Sequence, residues 1–132
     1  MSIRVGFLIN PVAGMGGRVG LKGTDEVVDE AVALGARPIA ERRAGEALRE
    51  LRHRLEHAGG RIDIEWVTCG GEMGANCLGA AGFEKLDVVY SATRPSSRED
   101  TVKAARHFVG KGCDLILFCG GDGTARDICS TV

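Results

Sequence analysis

Residues 118–127, FCGGDGTARD, set one carboxylate, Asp122, between Gly120-Gly121 and Gly123-Thr124, directly after an apolar run. Glycines at a strand end let backbone N–H groups approach phosphate oxygens with no Cβ in the way, and a following helix N-terminus adds a favourable dipole. A second stretch, NPVAGMGGRVGLKG (10–23), follows another apolar run and holds five of the chain's 20 glycines. Two such turns point to a nucleotide-phosphate site, and Asp122 is the only acid in either of them. An acceptor alcohol needs a nearby base. The competing use of Asp at such a place is as a turn residue that tolerates left-handed backbone and caps the next helix. Asn10 has a similar alternative, as a turn former before Pro11.

Two common phosphate-binding patterns fail letter by letter. G-x-G-x-x-G requires glycine where Val19 stands after Gly14 and Gly16, with Gly20 one step late. G-x-x-x-x-G-K-[ST] fails because Lys22 follows Leu21 and precedes Gly23. Arg18 and Lys22 read as solvated loop cations unless a phosphate reaches them.

The elements that must position these turns alternate along the chain. IRVGFLIN (3–10), IDIEWVTC (62–69), LDVVYSA (86–92) and CDLILFC (113–119) read as strands. A short helix capped by Thr24 or Asp25 runs through Val27, Val28, Ala31 and Leu34. A better defined one carries Ala44, Leu48, Leu51, Leu55 and Ala58 at three- and four-residue spacing, until Gly59 and Gly60 stop it. Residues 72–82 suit a short, glycine-broken helix. Ser97 with Asp100 forms a capping-box start for a helix through Val102, Ala105 and Phe108, and Ala125 onward begins another. This alternation implies an α/β fold: a Rossmann-like parallel sheet of about four or more strands with helices on both faces. Ligands of such sheets bind beyond the carboxyl ends of the strands, where both glycine turns fall.

Composition narrows the partners. Seventeen Lys and Arg against 18 Asp and Glu give a net charge of -1, which offers no general field for nucleic acid or a membrane surface. No apolar run approaches the roughly 20 residues of a membrane span, and no export signal precedes the first strand, so a cytoplasmic location is expected. Five cysteines without a C-x-x-C pair fit reduced, buried thiols better than zinc ligands or disulfides. The Arg42, Arg43, Arg49, Arg52 and Arg54 group, interleaved with Glu, reads as a solvated helix face, and His53, His57 and His107 are assigned no role.

GGDGT at 120–124 after a buried strand resembles the signature of the NAD kinase and diacylglycerol kinase superfamily. NPVAG at 10–14 is similar to that superfamily's Asn-Pro-x-[Ser/Ala]-Gly element, and its continuation MGGRVGLKGTD looks like the ATP-NAD kinase, acetoin-catabolism-associated branch. TRPSSREDTVKAA (93–105) resembles the segment whose Thr and later Asp-Thr flank the nucleotide. The resemblance spans the chain, in family order.

It implies that residues 1–132 form the N-terminal nucleotide-binding domain, with a second, β-rich domain that selects the acceptor lying outside this sequence. Asp122 would orient and deprotonate the acceptor hydroxyl or help hold Mg²⁺. Gly120, Gly121 and Gly123 would bring amides to the phosphates, Thr124 would add a hydroxyl, and Asn10 and Gly14 would shape the facing loop. Thr93, Asp100 and Thr101 would flank the nucleotide, against the alternative that they only start a helix. No protein metal site is expected. The implied activity is ATP-dependent phosphoryl transfer to a hydroxyl, with NAD as acceptor. Other readings are a lipid or other alcohol kinase of the same superfamily, a non-catalytic nucleotide-binding or sensor domain, and a plain α/β interaction module. The expected partners are a small-molecule nucleotide and further copies of the chain in a homo-oligomer, with no nucleic acid and no membrane.

Overall fold

Five successive buried residues, Val5 to Ile9, end the first strand, β1 (Ser2–Ile9), and burial on both sides is what the interior strand of a parallel sheet requires. A computed structural model describes residues 1–11, 39–92 and 97–132. In it β1 pairs in parallel with β2 (Asp63–Cys69) on one side and β4 (Leu115–Cys119) on the other, and β3 (Leu86–Tyr90) adds to β2. The order is β3-β2-β1-β4. The four parallel strands read from the sequence are therefore present, β1 displaced by one residue and the other three trimmed by one or two.

Alternation along β1 divides the core. Val5, Phe7 and Ile9 meet Ala40, Ala44 and Leu48 of α1 (Ala40–His57) and Leu78 of α2 (Ala75–Ala80) on one face. Leu8, with Val67 and Cys69 of β2, meets Ala104, Ala105 and Phe108 of α3 (Arg98–Gly110) and Ile128 of α4 (Asp122–Cys129) on the other. Helices thus cover both faces. Gly6 interrupts β1 because Phe108 lies flat against it: a Cβ there would stand 2.6 Å from Phe108 Cγ and Cδ2.

α1 begins four residues before the periodic apolar positions predict, and Gly59 and Gly60, at φ 66° and 77°, end it as expected. On its outer face Arg54 pairs with Glu50 and Arg52 with Glu56. The Gly-broken helix resolves into a 3-10 turn (Gly71–Met73) and α2. α3 opens on the Ser97/Asp100 capping box. α4 departs from expectation, because it starts at Asp122 and not at Ala125. Gly121 is its N-cap in an extended conformation, and Ala125 N–H donates to Gly121 O at 3.1 Å. The low helix propensity of Asp and Gly hides this turn from sequence reasoning. The expected helix around Thr24 to Leu34, and Gly14, Arg18, Lys22 and Thr93, lie outside the described residues.

No helix among the described residues is long and apolar enough to cross a membrane. All five cysteines are free. Cys69 and Cys77 are buried, whereas Cys129 is exposed, unlike the expectation of buried thiols. Burial pushes the Cys69 thiol up to about 12, which keeps it neutral.

Candidate active site

β1 and β4 are neighbours running the same way, so the residues that follow them, Asn10 and Gly120, emerge side by side at the carboxyl edge. Asn10 N–H extends the ladder by one bond, donating to Cys119 O at 2.9 Å. Its side-chain Nδ2 then donates to Thr124 Oγ1 at 3.1 Å. The two motifs, more than a hundred residues apart, are tied by this contact.

Thr124 is 4 % exposed and folds back over the strand end. A Cβ on Gly120 would lie 2.5, 2.6 and 2.7 Å from Thr124 Oγ1, Cβ and Cγ2. The first glycine of the motif therefore makes room for the threonine. Gly121 and Gly123 differ: a Cβ on either meets no described residue within 4 Å, so nothing among the described residues covers their surfaces. Because the first intrahelical donor of α4 is Ala125, the N–H groups of Asp122, Gly123 and Thr124 have no partner within the helix. Three orphan donors, an N-terminal dipole and two bare glycines make an anion cradle.

Asp122 stands in the first turn of α4 with its side chain exposed. No non-glycine described residue has positive φ, and the N-cap is Gly121. Asp122 therefore performs neither of the structural jobs that compete with a chemical role, left-handed turn residue or cap. What remains is the favourable placing of a carboxylate at a helix N-terminus, about 0.3–1 kcal/mol. Its carboxylate makes no hydrogen bond or ion pair with another described residue.

Asp100 and Thr101 are at a different place. They belong to the first turn of α3, which follows β3, the edge strand on the opposite side of the sheet from β4. Asp100 is 8 % exposed and accepts hydrogen bonds from Tyr90 Oη at 2.5 Å, Ser97 N at 2.6 Å and Ser97 Oγ at 3.2 Å. Burial raises its pKa, but the bonds from Tyr90 and Ser97 outweigh that and hold it below the ordinary 3.8. The hydrogen bond to Asp100, helped by burial, pushes the Tyr90 hydroxyl up to about 12. Thr101 is buried as well. The Asp100 carboxylate is spent on fixing the start of α3 and on the bond from Tyr90.

Sequence reasoning missed one pair. Arg98 Nε donates to Asp127 Oδ1 at 2.7 Å, joining the first turn of α3 to α4. The partners are 29 residues apart, and nothing local in the sequence marks them. Among the described residues no group of three His, Cys, Asp or Glu side chains converges to hold a metal ion.

No curated protein and no solved structure matches the chain significantly. A family model does: the ATP-NAD kinase N-terminal domain, over residues 5–132. That span includes β1 with Asn10, all four strands and the whole GGDGT turn. By that match the chain belongs to the ATP-NAD kinase N-terminal domain family, whose kinase character agrees with a glycine cradle built at the ends of two neighbouring parallel strands.

Proposed function

We propose that the carboxyl-edge cradle binds the phosphates of ATP and serves phosphoryl transfer to a hydroxyl acceptor, NAD being the acceptor that the family's description favours. The observation that carries the reading is the Asn10–Thr124 hydrogen bond, because it fixes the strand-end loop and the first turn of α4 as one unit around open glycine surface. Phosphoryl transfer depends mainly on positioning and on neutralising charge. The orphan N–H groups of the first turn bind and orient the phosphate oxygens. Asp122 accepts the proton of the acceptor hydroxyl as the new P–O bond forms and the bond to the ADP leaving group breaks.

Mg²⁺, when bound with the nucleotide, neutralises charge on the phosphates. It is commonly held by one or two carboxylates together with substrate phosphates. Asp122, exposed beside the cradle, fits that habit, and a three-ligand protein cage is not needed. Calorimetric titration of the chain with ATP and with NAD, with and without Mg²⁺, alongside an assay for NADP formation, tests the proposal. ATP binding that strengthens with Mg²⁺ supports it. Absence of ATP binding overturns it.

A further inference from the structure

Among the described residues, the cradle has dipoles and one carboxylate but no positive side chain of its own. Asp127 lies five residues after Asp122 on α4, about 7.5 Å along the axis. It stands four residues after Gly123 and three after Thr124, so it shares their side of the helix. Helical side chains lean toward the N-terminus, which sets the Asp127 carboxylate over the first turn. There it is 7 % exposed and grips Arg98 Nε at 2.7 Å, while the Arg98 side chain remains 67 % exposed.

This pairing is unequal in an informative way. A buried carboxylate demands a partner, and one guanidinium N–H satisfies that demand. Guanidinium has five donors in a rigid fork, so the Nη groups stay available after Nε is taken. They stay in solvent, on a guanidinium held by an α4 carboxylate that shares the Gly123 and Thr124 side of the helix. Arg126, the arginine of α4 itself, has no such side-chain anchor among the described residues.

We infer that Arg98, steered by Asp127, is a phosphate-contacting residue of this site, supplying a cation beside the glycine cradle. The ligand class is the polyphosphate chain of a nucleoside triphosphate, and the inference rests on the nucleotide reading of the cradle. A residue of α3 then meets a ligand held by α4, so ligand binding also braces the two helices against each other.

The test is calorimetric titration of the 132-residue chain with inorganic tripolyphosphate and with ATP at several salt concentrations, for wild type, Arg98→Gln and Arg98→Lys. Gln keeps one N–H donor for Asp127 but removes the charge and the fork. Lys keeps the charge and the pairing with Asp127 but cannot serve both partners with separate donor edges. For Arg98→Gln both ligands bind about tenfold more weakly, the size expected for one charge-assisted hydrogen bond, and the salt dependence flattens. Arg98→Lys falls between the two. A purely structural pin would shift the urea midpoint and leave the salt dependence alone.

Wild-type affinity and salt dependence in both variants overturn the inference while leaving the nucleotide reading intact. If Arg98→Gln does not fold, Arg98→Lys decides alone, and wild-type affinity there has the same meaning. Wild-type protein that binds neither tripolyphosphate nor ATP overturns the nucleotide reading itself, and this inference with it.

Discussion

Gly120 and Gly121 are adjacent, both exposed and chemically identical, yet the same substitution should destabilise at one and be nearly neutral at the other. In Gly120→Ala the new methyl lands 2.5–2.7 Å from three atoms of Thr124, where carbon contacts settle near 3.5–4.0 Å. About 1 Å of relief is needed from a side chain that is 4 % exposed and bonded to Asn10. Overpacking of this kind costs about 1–3 kcal/mol, and a middle value of about 2 kcal/mol lowers Tm by roughly 6–10 °C in a chain of this size. In Gly121→Ala the methyl meets no described residue within 4 Å, and the backbone, at φ -93° and ψ -166°, suits alanine. Alanine is a poorer N-cap than glycine by about 0.5–1 kcal/mol, and the stiffer unfolded chain returns about 0.4–1 kcal/mol, so stability stays within about 0.5 kcal/mol of wild type. Thermal and urea unfolding of the two variants measure this directly. Equal losses, or a neutral Gly120→Ala, would refute the claim that Gly120 exists to admit Thr124.

Asp122→Asn should lower turnover about 10²- to 10⁴-fold in a form of the enzyme that phosphorylates its acceptor, the usual worth of a general base. ATP affinity should change by less than about threefold, and steady-state kinetics with calorimetry reads both. Phe108→Ala, which uncovers Gly6 and opens the core between β1 and α3, should cost about 3–5 kcal/mol in urea unfolding, whereas a surface change such as Val109→Ala should cost under about 0.5 kcal/mol. Asp100 titrates below its ordinary 3.8 in the folded protein. Its contribution to stability is therefore present above 3.8 and lost as pH falls through the lower folded value. Asp100→Asn should lose stability at neutral pH and show a shallower further loss in acid. At the other end, Tyr90 holds its proton up to about 12 against an ordinary 10. Its contribution is complete below pH 10 and fades as pH rises toward 12, which Tyr90→Phe should remove from the unfolding profile.

The sheet was readable because each strand is a short apolar run bounded by turn residues, and Val5 to Ile9 is buried without a break as a central strand must be. Ser97 and Asp100 announced α3 through a local rule, the capping box, that needs no tertiary information. The start of α4 was not readable, since Asp and Gly are poor helix formers and the turn is held by a contact with Asn10 from the far end of the chain. The same reason hid Arg98 and Asp127, whose meaning exists only once α3 and α4 pack together. Asp100 shows the converse. Its place beside a Thr in a family-like segment suggested ligand contact, and only the bond from Tyr90 on β3 reveals how fully its carboxylate is engaged inside the protein.

The central claim is that open glycine surface at the first turn of α4 holds nucleotide phosphate. Gly121→Val tests it most directly, because its side chain projects into space where no described residue lies within 4 Å of the Cβ position. The measurement is calorimetric titration of wild type and Gly121→Val with ATP and Mg²⁺, after confirming equal urea midpoints. Binding by wild type, reduced at least about tenfold in the variant by the methyl groups that fill the cradle, is the expected result. Equal ATP affinity in two equally stable proteins would contradict it.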